Sequence, residues 1–419
     1  MRSDIRGAAA RAAAGDRRHE GYRPGDRAYR RIAVALFAAG VATFALMYST
    51  QALLPELARS FAISDADSTL SVSLTTAGLG VALLFTGPVS EVLGRTRLIH
   101  ASLLASAIIG LACAVAPGWD VLLALRLLQG VALAGLPAVA TAYLREEMHP
   151  DGDARTAGLY VGGTALGGMS GRLLTGGLAD LAGWRWALAA VAGLGLVCAL
   201  LVLVLLPASR NFAPAPARPR HLVTMTRRAL SDRGLLALYG IGACAMGAFV
   251  AVYNAIGFRL TSAPYQLSLG QESLVFLIYP VGTVTSALAG RMVERYSRRT
   301  VVPAGALITM AGVALTVATP LPLVVLGVAV MTAGFFVVHG VASGWVPVRA
   351  AAGGVAAAQA ASLYLFAYYL GSSVFGGLAG RVWVTGAWPA VVAMVLALLA
   401  VCGGLTFWLR RIPALASVK

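Results

Sequence analysis

The chain has 419 residues, of which 58% are hydrophobic and only 12% are charged, and its mean hydropathy is +0.79. Apolar stretches recur along the whole length, which excludes a soluble globular protein and predicts a membrane protein. The formal charge of +16 does not indicate nucleic-acid binding, because the basic residues lie in turns and tails beside apolar segments.

Twelve apolar stretches follow one another in chain order. Each has about the 20 residues that a helix needs to cross a bilayer, and each is continuously apolar, which predicts helices rather than barrel strands. We therefore expect an all-α membrane protein with twelve transmembrane helices. The stretches are 32–55, 69–90, 98–116, 119–144, 156–178, 184–207, 235–258, 272–293, 300–318, 321–345, 355–380 and 387–409.

The distribution of arginine predicts the orientation. If the N-terminus is cytoplasmic, most of the 33 basic residues lie in the tails and in the turns on the cytoplasmic side. This is the positive-inside pattern, so we expect both termini in the cytoplasm. The basic residues left on the opposite side are Arg59, Arg185, Arg259 and Arg381.

The second half of the chain repeats the first. Glu91 and Arg95 match Glu294 and Arg298 at an offset of 203 residues. The repeat predicts two six-helix halves related by pseudo-two-fold symmetry, which is the geometry of a rocking secondary transporter. The expected divisions are a basic cytoplasmic arm at 1–31, helix bundles at 32–207 and 235–410, a cytoplasmic linker at 208–234 and a cytoplasmic tail at 411–419.

Two of these divisions are polar. The 1–31 arm is rich in arginine and alanine, and we expect it either to be disordered or to contact anionic lipid. The 208–234 linker carries Pro214, Pro216 and Pro219 among arginines, which is typical of a semi-rigid or irregular connector.

Charges are concentrated at one turn in each half. Residues 87–97 read GPVSEVLGRTR, and residues 290–299 read GRMVERYSRR. Gly87 and Gly94 would supply the tight backbone of a turn, and Glu91 suits a helix N-terminus, whose free N–H groups attract a carboxylate. We predict a conformational switch here; the alternative is a plain turn that carries positive-inside arginines. The residues of the predicted switch are Gly87, Glu91, Gly94, Arg95, Arg97, Glu294 and Arg298.

These motifs, the twelve stretches and the repeat resemble the major facilitator superfamily along essentially the whole chain. Within it, GGMSGRLLTGGLADLAGWRW (167–186) and FVAVYNAIGFRL (249–260) are similar to the drug/proton antiporter branch of YnfM-like bacterial efflux proteins. The chain departs from the family pattern at Ser297, which replaces a glycine, at Gly168, which replaces a proline, and at Arg172, which replaces a glycine.

The resemblance implies partners for the turn and a role for one arginine. The start of the eleventh helix, near Gly353 and Gly354, would meet Glu91, and Glu146 would join Arg95 across the turn. Arg126 would belong to a family motif tied to proton transfer.

Two arginines, Arg126 and Arg172, lie inside predicted spans. A buried arginine is costly unless it faces a wet cavity or a partner, so both are candidate functional residues. A structural hydrogen-bonding role is the alternative for Arg126. Together the two could attract an anionic group, or each could be neutralised by an acid such as Asp180 or Glu56.

The seventeen acids all lie in tails, turns or helix ends, which leaves the proton carrier open. His339 in the tenth span has an ordinary pKa of about 6.5, within the physiological range. A hydrogen-bonded core histidine is the alternative, and Glu56 and Asp180 are other candidates for coupling. The candidates for proton coupling or buried charge are thus Arg126, Arg172, His339, Glu56 and Asp180.

Aromatic and polar side chains near mid-depth predict an adaptable cavity for an amphipathic solute. Each of them taken singly is better explained by packing than by contact with a ligand. The predicted cavity residues are Phe44, Tyr48, Gln51, Tyr253, Asn254, Phe335, Tyr364 and Tyr368, with Tyr369 beside them.

We therefore predict secondary transport, namely proton-coupled efflux of a small amphipathic solute by a monomer in a bacterial inner membrane. Proton-coupled uptake of an organic anion or other metabolite is the alternative, and a non-transporting receptor is a minor one. The expected partners are the small-molecule substrate, protons and the lipid bilayer, without nucleic acid. No enzyme, cofactor or metal site is predicted, because the sequence contains no nucleotide-binding loop, and its four cysteines lack ligand spacing.

Overall fold

The computed structural model describes residues 21–212 and 219–413, apart from the side chains of 150–154 and 219–222. The described part is helical, with one isolated bridge between Tyr22 and Met148. The α-helices are α1 (Arg27–Met47), α2 (Leu54–Phe61), α3 (Asp65–Ser68), α4 (Leu70–Leu93), α5 (Arg95–Ala114), α6 (Trp119–Leu133), α7 (Gly135–Glu147), α8 (Pro150–Leu205), α9 (Pro219–Ser231), α10 (Arg233–Thr261), α11 (Leu269–Ser273), α12 (Tyr279–Tyr296), α13 (Arg298–Leu315), α14 (Leu321–Ala352) and α15 (Ala357–Arg411), with 3-10 turns at Gln51–Leu53 and Leu274–Ile278.

Within the described residues, nine continuous helical stretches are long and apolar enough to cross a membrane. Two of them, α8 with 56 residues and α15 with 55, are far longer than one crossing needs, since about 1.5 Å per residue gives roughly 80 Å. Each is interrupted by non-helical backbone, at Gly183 in α8 and at Gly386 and Ala387 in α15. The chain is thus an all-helical membrane protein.

The predicted spans overlap helices of the structure, although α13, at the predicted span 300–318, is not among the nine stretches, and three spans are interrupted. The eighth span is divided into α11, the Leu274–Ile278 turn and α12. The first is divided into α1, the Gln51–Leu53 turn and α2, and the fourth is divided into α6 and α7 at Ala134. The interruption after Met47 leaves backbone carbonyls at the end of α1 without helical partners. These carbonyls become part of the site described below.

The charged turn is a single residue. Gly94, with φ of +90°, separates α4 from α5, and Ser297, with φ of +77°, separates α12 from α13 at the matching position. Gly87 lies inside α4, one residue before Pro88, so the expectation that it forms the turn is wrong. The turn requires the left-handed region at one position only, and Gly94 occupies it.

Glycines set the closest helix contacts. Gly163, Gly167 and Gly171 of α8 face α1, and a Cβ at Gly171 would lie 2.7 Å from the Ala45 Cα. Backbones at this separation gain van der Waals contact that no larger residue would permit.

The arm and the linker are only partly described. Tyr22 is 6% exposed and its N–H donates to the Glu147 carbonyl at 2.8 Å, so the end of the 1–31 arm is packed against the bundle. The linker contains α9, in which Thr226 accepts a hydrogen bond from Gln359 at 2.9 Å, so an irregular linker is wrong for that part. Residues 1–20, 213–218 with Pro214 and Pro216, and 414–419 lie outside the described residues.

Two opposite faces result from this arrangement. We call the face that carries Gly94, Ser297 and both ends of the described chain the terminal face, and the face that carries the breaks at Gly183 and Gly386 the far face. We call residues 27–205 the first half and residues 233–411 the second half.

Candidate functional site

The two halves are in contact at the far face through two acids. The carboxylate of Asp180 accepts hydrogen bonds from the hydroxyl of Ser268 and from the backbone N–H groups of Leu269 (3.1 Å) and Gly270 (2.8 Å). In the other direction, Trp383 of the second half donates its indole N–H to Asp65 of the first at 3.2 Å. We call this region, with the contacts described next, the closed interface.

Small residues complete the closed interface. Gly176 lies against Ser273 so closely that a Cβ there would overlap the serine side chain, and Gly380 lies against Thr69 in the same way. The hydroxyl of Ser373 donates to the Ser73 carbonyl at 2.7 Å. Close packing of this kind brings the two halves into direct contact at the far face.

A buried polar chain continues the contact toward mid-depth. Gln51 donates to the side-chain carbonyl of Asn254 at 2.6 Å, and Asn254 donates to the Gly376 carbonyl at 3.1 Å. Arg172 in turn donates through Nε to the side-chain oxygen Oε1 of Gln51 at 2.6 Å. Of the eight predicted cavity residues, Gln51 and Asn254 therefore join the halves to each other in this conformation.

Arg172 is 1% exposed and is surrounded by aromatic rings. Its guanidinium lies 4.1 Å from the ring centroid of Tyr48, 4.9 Å from Phe276 and 4.7 Å from Tyr279, and it also donates to the Gly168 carbonyl. Cation–π contacts stabilise a desolvated guanidinium by about 2 kcal/mol or more. The aromatic rings, rather than an acid, accommodate this charge.

The acids suggested as its counter-ions are engaged elsewhere. Glu56 forms an ion pair with Arg59 at 2.9 Å, and Asp180 is bonded to the start of α11. The alternative that either one neutralises Arg172 is therefore wrong. Among the described residues, Arg172 has no ion pair within 4 Å.

Arg126 is also buried, and its contacts are different. It donates to the carbonyls of Leu46 (3.0 Å), Met47 (2.6 Å) and Ser71 (3.1 Å), and to the side chains of Ser49 and Gln129. The first two carbonyls are those freed where α1 ends, and a cation at a helix C-terminus is favourable. Arg126 thus joins α6 to α1 and α4, which agrees with the structural alternative for this residue.

An aromatic cluster of the second half surrounds His339. Its Nδ1 lies 3.0 Å from the hydroxyl of Tyr364, and its ring centroid lies 5.8 Å from Phe335 and 4.6 Å from Tyr368. Tyr253 bonds to Thr332 at 2.9 Å, and Phe44 is partly buried against the core. His339 is hydrogen-bonded within the core, as its structural alternative requires.

At the terminal face the halves are separated by a cavity of about 750 Å³. We call it the open cavity. Its first-half lining includes Glu91, Arg95 and Arg145, and its second-half lining includes Pro347, Ala357, Gln359 and Tyr364. Of the eight predicted cavity residues, Tyr364 lines this cavity. Gly87 also lines it, although it forms no part of the turn.

The charged turn of the first half forms a network at the mouth of the open cavity. Arg95 lies 2.8 Å from Glu91 and 2.9 Å from Glu146, and it donates to Ser90. The start of α15, at Ala356 and Ala357, lines the same cavity opposite Glu91. Arg97 and Glu294 are exposed and Arg298 is half-buried.

The structure also reveals a residue that sequence reasoning missed. Glu272 lies at a helix end, as predicted for every acid, but it is 1% exposed, and neither carboxylate oxygen has a hydrogen-bond partner in the described part of the chain. Glu272 is the first residue of the predicted span 272–293. In the sequence alone it therefore resembles an acid at the end of a helix that is exposed to water. Gly257 of its own half and Pro55 of the first half lie beside its carboxyl group.

A helical membrane fold with a cavity between two halves, closed at one face and open at the other, defines a membrane transporter. The model of the Major Facilitator Superfamily matches residues 35–283. The MFS-type transporter YybF of Bacillus subtilis (strain 168) is 39% identical over 93% of this chain and 96% of its own length. The inner membrane transport protein YnfM of Escherichia coli (strain K12) is 41% identical over 89% of each chain.

A solved structure has the same fold. The inward-facing, unoccupied crystal structure of a bacterial homologue of the human lysosomal transporter Spinster aligns with a TM-score of 0.75 at 15% identity, covering 93% of this chain and 98% of that chain. The chain belongs to the major facilitator superfamily of membrane transporters, as the sequence motifs predicted.

Proposed function

We propose that this protein is a proton-coupled secondary transporter that exports a small amphipathic solute by alternating access. The observation that carries the proposal is the pairing of a closed interface at the far face with an open cavity at the terminal face, each formed by both halves. A transporter of this kind exposes its central site to one side at a time. The aromatic side chains around His339 and Tyr364 suit a partly apolar solute.

We further propose twelve transmembrane helices in two six-helix halves related by pseudo-two-fold symmetry. Matched contacts support this. The repeat offset of 203 residues relates two contacts between the halves. Position 65 corresponds to 268, and position 180 corresponds to 383. The contact of Asp65 with Trp383 is therefore equivalent to the contact of Ser268 with Asp180. The divisions predicted at 32–207, 208–234 and 235–410 follow from the same symmetry.

The terminal face is, in our proposal, the cytoplasmic one. The arginine-rich turns at Gly94 and Ser297 lie there, as the positive-inside rule requires, and both termini would then be cytoplasmic. The conformation described here is accordingly the inward-open one.

The conformational switch is proposed at the mouth of the open cavity. Glu91 faces the start of α15 across the cavity, and the free N–H groups of that helix would attract its carboxylate once the two halves approach. Glu91, held by Arg95 and joined by Glu146 through the same arginine, would then stabilise the outward-open state. Glu294 and Arg298 would act at the matching turn of the second half.

Uptake of an organic anion is the second candidate. Arg172 favours it, because this guanidinium is buried between the halves without an ion pair within 4 Å among the described residues. A carboxylated solute that entered between the halves would find an uncompensated positive charge there.

Transport by the purified protein in proteoliposomes under an imposed pH gradient tests these proposals. The probes are lipophilic cations, neutral drugs, organic acids and sugars, with a pH-sensitive dye in the lumen. We expect a lipophilic probe to move against the direction of proton flow. Movement of an organic acid with the protons would favour the uptake candidate. Solute movement that persists unchanged when a protonophore collapses the gradient would contradict proton coupling, and liposomes without protein are the control.

A further inference from the structure

The buried carboxylate of Glu272 is not explained by any contact described so far. It lies on α11, the short helix whose N-terminal N–H groups are bound by Asp180 of the first half. Both of its oxygens are fully enclosed and have no hydrogen-bond partner within the described residues. A buried ionised carboxylate without hydrogen bonds costs several kcal/mol, so such a group requires a reason.

Gly257, Pro55 and Arg172 locate the carboxyl group of Glu272 among its neighbours. A Cβ built at Gly257 of α10 would lie 3.3 Å from Glu272 Oε1 and 3.9 Å from Pro55 at the start of α2. The charge that acts on Glu272 from α8 is that of Arg172, which is beyond ion-pair distance. The carboxyl group is therefore held in space left by a glycine, with one cation nearby.

The other charged and titratable groups on the neighbouring elements have partners of their own. Asp180 of α8 binds the start of α11, and Arg259 of α10 donates to the carbonyls of Thr316 and Ala318. The remaining groups are Tyr253, which bonds to Thr332, Tyr279, which lies against Arg172, and Glu56, which pairs with Arg59. Among the described residues, Arg172 is thus the charged side chain left to act on Glu272.

The burial of Glu272 depends on whether the closed interface is formed. Ser273, the next residue, is packed against Gly176 of the first half. Separation of the halves at the far face would remove these contacts and admit water to α11. An ionised Glu272 is then solvated, whereas in the closed interface the neutral, protonated form avoids the cost of burying a charge.

We propose that Glu272 is a proton-binding site of the transport cycle, occupied while the closed interface is formed and emptied to water when that interface opens. The inference rests on the proposed proton-coupled cycle and names a group whose protonation accompanies closure of the far face; because the proton enters from water at that face and returns to it, this step alone moves no proton across the membrane. On closure, a proton from water at the far face forms an O–H bond with one carboxylate oxygen, and on opening it returns to water. Acid conditions at the far face therefore favour the closed interface.

The test measures the closed interface directly and needs no substrate. Spin labels are attached at Asp120→Cys and Thr319→Cys, two exposed far-face positions on opposite halves, and their separation is measured between about pH 5 and 9. In the otherwise unchanged protein we expect the ratio of short to long separations to rise as the pH falls. For one linked proton this ratio changes by at most about tenfold per pH unit.

Three variants make the result specific. Glu272→Gln, which has the same shape but stays neutral, should keep the short separation at every pH, and Glu272→Asp should restore a pH response. Asp67→Asn, at an exposed acid of the same face that accepts a hydrogen bond from Ser64 of its own half, should leave the response unchanged. Monodisperse elution of each variant on size exclusion verifies folding, and if Glu272→Gln fails this check, an unaltered pH response in Glu272→Ala overturns the inference.

Failure of this inference and failure of the proposed function are distinguishable. A Glu272→Gln protein whose separations titrate like those of the unchanged protein would overturn the role of Glu272, whatever the proton flux in proteoliposomes. Solute transport without any proton flux in the unchanged protein would overturn proton coupling, whatever the spin-label separations.

Discussion

At the scale of single residues, Asp232 and Arg349 tie the start of α10 to the end of α14. Asp232 accepts hydrogen bonds from Arg349 Nε at 2.6 Å and Nη2 at 3.0 Å, and from the Leu235 N–H at 2.7 Å. Burial alone would raise the pKa of Asp232, but the hydrogen bonds from Arg349 and Leu235 outweigh it and lower the pKa below its ordinary value of 3.8. A lowered pKa in the folded state means that ionised Asp232 stabilises the fold.

Asp232→Asn should therefore destabilise the protein in a pH-dependent way. Above the ordinary pKa of 3.8 the full contribution is present, and we expect a loss of about 1–3 kcal/mol for hydrogen bonds to a charged group. As the pH falls through the lower, folded pKa, Asp232 becomes protonated and the difference between the two proteins shrinks. Thermal unfolding in detergent from neutral to acid pH measures this difference.

The exposed pair Glu56 and Arg59 provides the control. Glu56→Gln should change stability by no more than about 0.5 kcal/mol, because exposed ion pairs contribute little. A difference between Asp232→Asn and the unchanged protein that is the same at neutral and acid pH would contradict the assigned role.

The sequence could predict groups of single residues where a local motif or the family resemblance marked them. Glu91, Arg95 and Glu146 were predicted as one group, and their distances are those of a network. Glu272 could not be recognised, because its carboxyl group is enclosed by a long-range contact that brings α11 together with Gly257 of its own half and Pro55 of the first half. Arg172 was predicted to be buried, but its aromatic surroundings depend on the same long-range contact.

At the scale of elements, the glycines of α8 distinguish two faces of one helix. A Cβ at Gly167 would overlap the backbone of Val41 in α1, whereas a Cβ at Gly162 would meet nothing within 4 Å. The two positions lie in the same helix but differ in whether another backbone is close, so they separate the effect of close packing from that of helix propensity.

Gly167→Ala should lower stability by about 1–3 kcal/mol, since the added methyl group forces α1 and α8 apart. Gly162→Ala should be neutral or should stabilise by up to about 1 kcal/mol, because alanine is the better helix former. Thermal unfolding of the two variants in the same detergent measures both changes. Equal destabilisation by both substitutions would show that α1 and α8 do not approach each other as described.

The positions of the helices could be predicted from hydropathy alone, because a bilayer forces each span to be apolar and of about the same length. Their interruptions could not. The break after Met47 depends on Arg126 binding the freed carbonyls, and no pattern within α1 marks it. The left-handed residue between α12 and α13 is Ser297, which shows that the turn geometry persists where the glycine signal is lost.

At the scale of the whole molecule, two sets of contacts compete. The closed interface at the far face includes the three hydrogen bonds of Asp180, and the proposed contact of Glu91 with α15 would close the terminal face instead. A sequence encodes both arrangements, so it predicts the two halves but not which face is closed at rest.

Glu91→Gln and Asp180→Ala should consequently move the population in opposite directions. Loss of the Glu91 charge should weaken the outward-open state and increase the population in which the labels at 120 and 319 have the short separation. Loss of the Asp180 hydrogen bonds should weaken the closed interface and increase the population with the long separation. The ratio of long to short separations should rise by up to about tenfold for each 1.4 kcal/mol lost.

Asp67→Ala is the matched control for Asp180→Ala, because Asp67 lies on the same face but accepts a hydrogen bond from Ser64 of its own half. It should leave the separations unchanged. Shifts in the same direction for Glu91→Gln and Asp180→Ala would contradict opposing roles at the two faces.

The hydrogen bond between Gln51 and Asn254 joins two positions that are 203 residues apart, so under the proposed duplication each is the counterpart of the other. In an ancestor made of two identical six-helix chains, this position would have met its own copy. Two equal charges there would repel, whereas an amide carries both a donor and an acceptor and is complementary to itself. An amide side chain that can pair with an identical amide could thus remain at this position in both copies. After fusion the two side chains came to differ by a single methylene group, as glutamine and asparagine do.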